Sequence, residues 1–265
     1  MQFVETRAGR VAYEVAGSGP PLVLLHGAGH DHHDYDAVVP ELAKSWCTIA
    51  VDWPGCGSSS SPRPPSAASA ALHCEVLEDV AEALLREPAV FVGNSVGGLA
   101  AVKLAGLRPE RVRALVAVDS GGFTRVGALA RAVCWVQGRE CVRRHTGMAF
   151  ARFYLKRRNE HVLAILERLR ATLQRPEAVA VNAAVWRSFS KPGNDATAVA
   201  SQVRCPVLLV WGRHDPVLPA AIDGRRARQL MPAARYVELD TGHVPFAEDP
   251  PAFLRELLPF LQSLG

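Results

Sequence analysis

The sequence predicts an α/β fold: a largely parallel, buried β-sheet flanked by helices and interrupted once by a wholly helical insertion. Three observations carry this. Short β-branched runs, most of them apolar on both faces, alternate with amphipathic stretches, the pattern of strands in a parallel sheet covered on both sides by helices. Residues 122–200 show no strand signal. The same stretch also differs in charge: Gly121–Ala200 holds 14 Lys/Arg against 5 Asp/Glu, a net +9, which leaves −5 for the rest of a chain whose total is +4.

In chain order, Val11–Val15, Leu22–Leu25, Thr48–Val51, Ala89–Val92 and Leu115–Val118 are predicted strands. Ser58–Ser66, SSSSPRPPS, reads as a mobile surface loop, too short to link domains. Ala70–Arg86 sets Ala71, Cys74, Leu77, Val80, Ala81 and Leu84 on one helical face, and Val96–Leu107 is a helix of small residues suited to close packing on a sheet. The insertion reads as several helices, one with Asn159 as N-cap and Val162, Ile165, Leu166 and Leu169 as its apolar face. Strands resume at Val207–Val210 and Arg235–Leu239 with a helix near Ala220–Leu230 between them, and a last helix runs from Pro251 to Leu261. The expected organisation is a core of residues 1–121 and 201–265 carrying a helical lid at 122–200.

Composition narrows the function classes. A chain of 265 residues, 49 % hydrophobic and 21 % charged, is an ordinary globular protein of one large domain. No apolar run approaches the ~18 residues of a membrane helix, and no secretory leader pattern opens the chain, so the expected location is the cytoplasm. Cys47, Cys56, Cys74, Cys134, Cys141 and Cys205 form no CxxC pair and are expected as free thiols. A net charge of +4 without a basic stripe or motif gives no expectation of nucleic-acid binding.

The sharpest local signal is Gly93-Asn94-Ser95-Val96-Gly97, between an apolar strand and a helix. A serine on such a sharp turn needs glycine two residues to either side, because a Cβ there would collide with neighbouring backbone; the turn exposes the hydroxyl at the carboxyl edge of the sheet. Ser95 is thus the expected nucleophile, with the Val96 amide beside it. Leu24–Asp31, LLHGAGHD, follows an early strand and offers a second oxyanion-hole amide at Ala28. Asp215 follows a late strand and His243 lies in the loop after the last one, giving the chain order nucleophile, acid, base. Asp119 is the alternative acid, otherwise a loop-capping carboxylate. His26 is expected to orient the oxyanion loop, His214 to be a loop residue, and Asp52 and Asp240 to form turns. In His30-Asp31-His32-His33-Asp34, the residues His30, His32 and Asp34 resemble the H-x-H-x-D-H metal signature of metallo-β-lactamase-like hydrolases, but Tyr35 stands where the last histidine belongs. A polar stretch beside the site entrance, not a metal site, is expected.

At these residues the chain resembles the alpha/beta-hydrolase superfamily over nearly its whole length. Val51–Ser59 matches the D-x-P-G-x-G-x-S loop of that family, and Val112–Ser120 the strand after its nucleophile helix. The resemblance implies a cofactor-independent serine hydrolase acting on a small or medium organic molecule, foremost a carboxylic ester. GNSVGG is similar to the wording of meta-cleavage-product hydrolases, which break a carbon–carbon bond; Gly29-His30-Asp31 departs from the Gly-Pro-Gly usual there. Haloperoxidase- and perhydrolase-like relatives share the triad, and some members of the fold are non-catalytic small-molecule receptors. The basic runs Arg143-Arg144 and Lys156-Arg157-Arg158 are expected on solvated helix faces; the alternative turns some lid arginines into the cleft, to grip an anion.

Overall fold

The computed structural model describes residues 1–265. Strands β1 (Gln2–Thr6), β2 (Gly9–Ala16), β3 (Pro21–Leu25), β4 (Cys47–Val51), β5 (Ala89–Asn94), β6 (Val112–Val118), β7 (Val207–Gly212) and β8 (Arg235–Leu239) form one sheet. Their order is β1-β2-β4-β3-β5-β6-β7-β8, and every pairing from β4 to β8 is parallel. Leu25 pairs with Gly93, Asn94 with Val118 and Gly212 with Leu239, so the carboxyl ends of the central strands finish level on one edge. That edge carries the loops with Ala28, Ser95, Asp119, Asp215 and His243, where ligands of open α/β sheets bind.

The helices are α1 (Val39–Leu42), α2 (Ala70–Leu84), α3 (Val96–Leu107), the inserted α4 (Ala128–Gln137), α5 (Glu140–Tyr154), α6 (Glu160–Thr172), α7 (Pro176–Ser188) and α8 (Thr197–Ala200), then α9 (Arg225–Leu230), α10 (Pro245–Glu248) and α11 (Pro250–Gln262). Alternation along the strands feeds two cores. Val23, Phe91, Leu115 and Leu209 pack with Leu77 of α2 and Leu99 of α3 on one face. On the other, Leu24, Val92, Val116 and Val210 pack with Phe246, Phe253 and Phe260. Val162, Ile165, Leu166 and Leu169 of α6 join this second cluster, so the insertion is built onto the body. All six cysteines are free, and no helix is long and apolar enough to cross a membrane.

Four features differ from expectation. Strand β1 was not anticipated; its side chains are mostly exposed, so it pairs through its backbone and leaves no apolar pattern to read. The buried face of α2 is Ala70, His73, Val76, Leu77, Val80 and Ala81, rotated from the predicted stripe because His73 stacks on Trp53 (4.8 Å between centroids, 10° between planes) and hides a polar residue in the apolar face. The Ser58–Ser66 loop is tethered: Ser59 Oγ donates to Asp52 O (2.8 Å) and accepts the Ala12 N–H (2.8 Å). The segment Ala220–Leu230 opens with a wide π-helical turn at Ala220–Gly224 before α9.

Asn159 caps α6 as expected, accepting the Val162 N–H at 2.9 Å, while its Nδ2 donates to the carbonyls of Ala247 (2.9 Å) and Glu248 (3.0 Å). One side chain therefore starts a helix of the insertion and pins it to α10. Asn159→Ala is expected to cost about 1–3 kcal/mol, a fall of about 2–8 °C in Tm by thermal unfolding. Asn159→Asp keeps the cap acceptor but loses both donors, and is expected to be no better than alanine.

Candidate active site

Ser95 occupies the turn between β5 and α3 at φ 56°, ψ −116°, a left-handed conformation that side chains rarely adopt. Its backbone is fully engaged: the N–H donates to Val118 O (3.1 Å), and the carbonyl accepts from Leu99 (3.0 Å) and Gly121 (2.9 Å). The flanking glycines are required by contact. A Cβ on Gly93 would lie 2.4 Å from Gly97 O, and one on Gly97 would lie 2.4 Å from Leu25 O. Asn94 donates to Val118 O (3.2 Å) and to His243 O (2.9 Å), tying the turn to the loop after β8.

His243 Nδ1 donates to Asp215 Oδ2 at 2.7 Å, with both residues buried. Burial pushes the Asp215 carboxyl up, but His243 and the N–H groups of Val217 and Leu218 outweigh it and hold the carboxyl below its ordinary range. Since Nδ1 faces the carboxylate, Nε2 is left to face the cavity that Ser95 and His243 both line. No hydrogen bond joins Ser95 Oγ to His243 in this conformation; substrate-free sites commonly hold this contact long and tighten it on binding. Asp119 does not reach the histidine as its partner. Its Oδ1 accepts the Gly212 N–H (2.9 Å) and its Oδ2 is buried without a hydrogen bond. Burial and the neighbouring Asp215 charge raise the Asp119 carboxyl well above its ordinary value.

The loop after β3 aims the Ala28 amide. Gly27 O accepts from His26 Nδ1 (2.7 Å) and from the His30 N–H (3.3 Å). Because the N–H of a trans peptide points opposite its carbonyl, the Ala28 N–H faces the other way, and Ala28 lines the cavity beside Ser95 and Val96. Trp53 N–H donates to His26 Nε2 (3.0 Å), which assigns the neutral tautomer, and burial lowers this histidine further from its charged form. Asp52 does more than form a turn: its carboxylate accepts the His32 N–H (2.8 Å), the His32 ring (2.8 Å) and the Ser58 N–H (2.9 Å), locking the loops after β3 and β4 together.

The histidine-rich run is split among different partners. His30 lies between Asp34 (2.5 Å) and Tyr154 Oη (2.6 Å), whereas His32 faces Asp52. Arg168 of α6 bridges to Asp31 (3.0 Å) and Asp34 (2.9 Å), and Arg157 to Asp240 (2.9 Å) and Asp249 (3.3 Å); His214 also pairs with Asp240 (2.8 Å). The basic insertion is thus docked on acidic groups of the body. Arg143 breaks the expectation of a solvated face: it is 4 % exposed and lines the cavity, because α5 turns it inward between aromatic rings. Glu248 had no sequence signal of its own. Its buried carboxylate accepts the N–H groups of Gly242 (2.9 Å) and Val244 (3.1 Å) on either side of His243, and those of Lys156 (2.8 Å) and Arg157 (3.0 Å). The cavity above Ser95, about 470 Å³, is roofed by Phe150, Tyr154 and Trp186 of the insertion.

A family model described as the alpha/beta hydrolase fold matches residues 20–250. The chain belongs to the alpha/beta hydrolase family. This hydrolase is 30 % identical to an uncharacterized protein of Mycobacterium tuberculosis over 96 % of its own length and 79 % of that protein's. It is 29 % identical to a pimeloyl-[acyl-carrier protein] methyl ester esterase of Chromobacterium violaceum, covering 94 % of this chain and 97 % of that one. Its fold superposes on an enol-lactonase from Burkholderia xenovorans LB400 with a TM-score of 0.85, at 22 % identity over 98 % of this chain and all of that one.

The His30–Asp34 pair is expected to make the stability of this alpha/beta hydrolase pH-dependent. Burial pushes the His30 ring down, but Asp34 outweighs it and the net value lies above the ordinary 6.5; Asp34 itself, raised by burial and lowered more by His30 and Arg168, lies below 3.8. The histidine's contribution is complete below its unfolded value and is lost as pH rises through the folded one; the aspartate's is lost as pH falls through its own folded value. His30→Gln is therefore expected to lower Tm more at pH 6 than at pH 9 in parallel thermal melts.

Proposed function

We propose that this hydrolase cleaves a carboxylic ester of a small or medium organic molecule through an acyl-enzyme on Ser95. The observation that carries the reading is the buried Asp215–His243 pair, at 2.7 Å, whose histidine shares the wall of one cavity with the strained Ser95 turn. The relatives named as methyl ester esterases support an ester as the substrate class. The helical insertion over the cavity acts as its lid.

In this mechanism the Ser95 hydroxyl gives its proton to His243 Nε2 as its oxygen attacks the ester carbonyl carbon. Asp215 accepts from Nδ1–H, fixes the tautomer and stabilises the imidazolium. The developing oxyanion takes the N–H groups of Ala28 and Val96; the latter opens α3, where the helix dipole adds to the field. Collapse of the tetrahedral intermediate breaks the bond to the alkoxy group, which leaves as an alcohol with the proton from His243. Water then attacks the acyl-enzyme, giving its proton to His243, and the carboxylic acid departs from regenerated Ser95. Asp119, whose carboxyl is raised by burial and by Asp215, takes no part in holding His243.

The test is a fluorophosphonate probe together with steady-state kinetics on short-chain esters. Labelling of the native protein at Ser95 is expected; a receptor on the same fold would stay unlabelled, and that result sinks the proposal. Ser95→Ala and His243→Ala are each expected to lower kcat by about 10⁵–10⁶-fold and Asp215→Asn by about 10⁴-fold, with folding intact. Asp119→Asn is expected to cost far less. The opposite ranking of the two aspartates would assign the acid to Asp119.

A further inference from the structure

Most arginines of the insertion have an explanation in charge pairing or exposure; Arg143 has neither. It projects from α5 into the cavity, 4 % exposed, with its guanidinium carbon over the rings of Trp186 (5.4 Å) and Phe150 (5.6 Å). Aromatic faces attract the cation but leave its in-plane donors unused. Of its donor nitrogens, only Nη1 is bonded to the protein, to Gln137 Oε1 at 2.9 Å, while Nε is buried with no partner. The neighbouring Trp186 Nε1 is likewise buried with no partner, and both side chains line the same cavity as Ser95 and His243. No carboxylate acts on the guanidinium; burial lowers its pKa to about 10, which leaves it charged at neutral pH.

A buried cation without a counter-ion destabilises the fold, since its desolvation is not offset by a partner. The wall elsewhere is mainly apolar and aromatic, with His30, Thr124 and Asn194 as further polar members, and Arg143 is the one Lys or Arg side chain on it. We infer that Arg143, with the Trp186 N–H beside it, is the anion subsite of the pocket and selects an ester whose acyl or alkoxy part ends in a carboxylate. The inference rests on the proposed ester hydrolysis for its substrate class but not for the existence of the subsite. A planar carboxylate matches the free edge of a guanidinium and supplies the charge that the site lacks. The pocket then holds the substrate at two ends: the carbonyl at Ser95 and the carboxylate under the lid.

The test separates binding from chemistry. In full-length Ser95→Ala protein, hexanoate is expected to bind at least tenfold more tightly than hexanamide by calorimetry. Adding Arg143→Met is expected to remove that preference, and Arg143→Lys to keep part of it. In Ser95-containing protein, the ratio of kcat/KM for monomethyl adipate to that for dimethyl adipate should fall at least tenfold on Arg143→Met. A residue kept only for packing predicts a different signature, equal losses on both esters together with a lower Tm. The subsite predicts an unchanged or higher Tm, because the change removes an uncompensated buried charge. Equal binding of acid and amide to the Arg143 protein, or an unchanged ester ratio in Arg143→Met, overturns the inference. If neither ester is turned over while hexanoate binding still depends on Arg143, the ester-hydrolase reading fails and the subsite stands.

Discussion

The contact between the end of β5 and the start of α3 is the constraint on which the rest of the site depends. Ser95 holds a conformation that costs of order 1–3 kcal/mol and persists only if its surroundings over-determine it. Here they do. Three backbone hydrogen bonds fix the residue to β6, α3 and Gly121, and backbone from β3 approaches so closely that glycine alone fits at position 97. The strain thus has a positional consequence. The strand that supplies the Ala28 loop is pressed against the turn that presents Ser95, so the two candidate oxyanion amides are spaced by backbone packing and not by side-chain choice.

From that contact outward, polar side chains join loops the sheet only brings near one another. Asn94, adjacent to Ser95, holds the carbonyl of His243 across the edge of the sheet. Glu248 accepts the N–H groups on both sides of His243 and two more from the turn after α5, while the His243 N–H reaches Tyr154 O (3.1 Å). A carboxylate satisfied by four N–H donors is well compensated for its burial. The turn that follows the roof helix and the histidine loop are therefore anchored by the same side chain.

What could be read from the sequence divides along this line. The placement of Ser95, Asp215 and His243 was legible, because a strand followed at once by a fixed local pattern reveals the edge on which such a residue stands. Strands β3, β5, β6 and β7 were legible for the related reason that burial on both faces leaves continuous apolar runs. The residues that escaped act over long separations: Glu248 reaches the turn after α5 some ninety positions earlier in the chain, and Asp52 pins a loop twenty positions before it. Nothing in the neighbourhood of either residue encodes those partners. His73 misled the reading of α2 for the opposite reason, since a buried histidine stacked on Trp53 looks polar in sequence and apolar in packing.

The charge segregation of the chain resolves into two populations with different physical meanings. Arg157 meets Asp240 and Asp249 in exposed pairs that contribute little to stability individually, about 0–1 kcal/mol, whereas Arg168 reaches Asp31 and the buried Asp34. What such pairs supply is orientation: opposite charges on the insertion and the body favour one docked arrangement over others. Arg143 belongs to the second population, facing inward with no counter-ion, where solubility gains nothing from its charge and stability is lowered by it. A net +9 on one segment therefore cannot be treated as a single property. The paired arginines join the insertion to acidic groups of the body, and the unpaired one places a buried cation on the cavity wall.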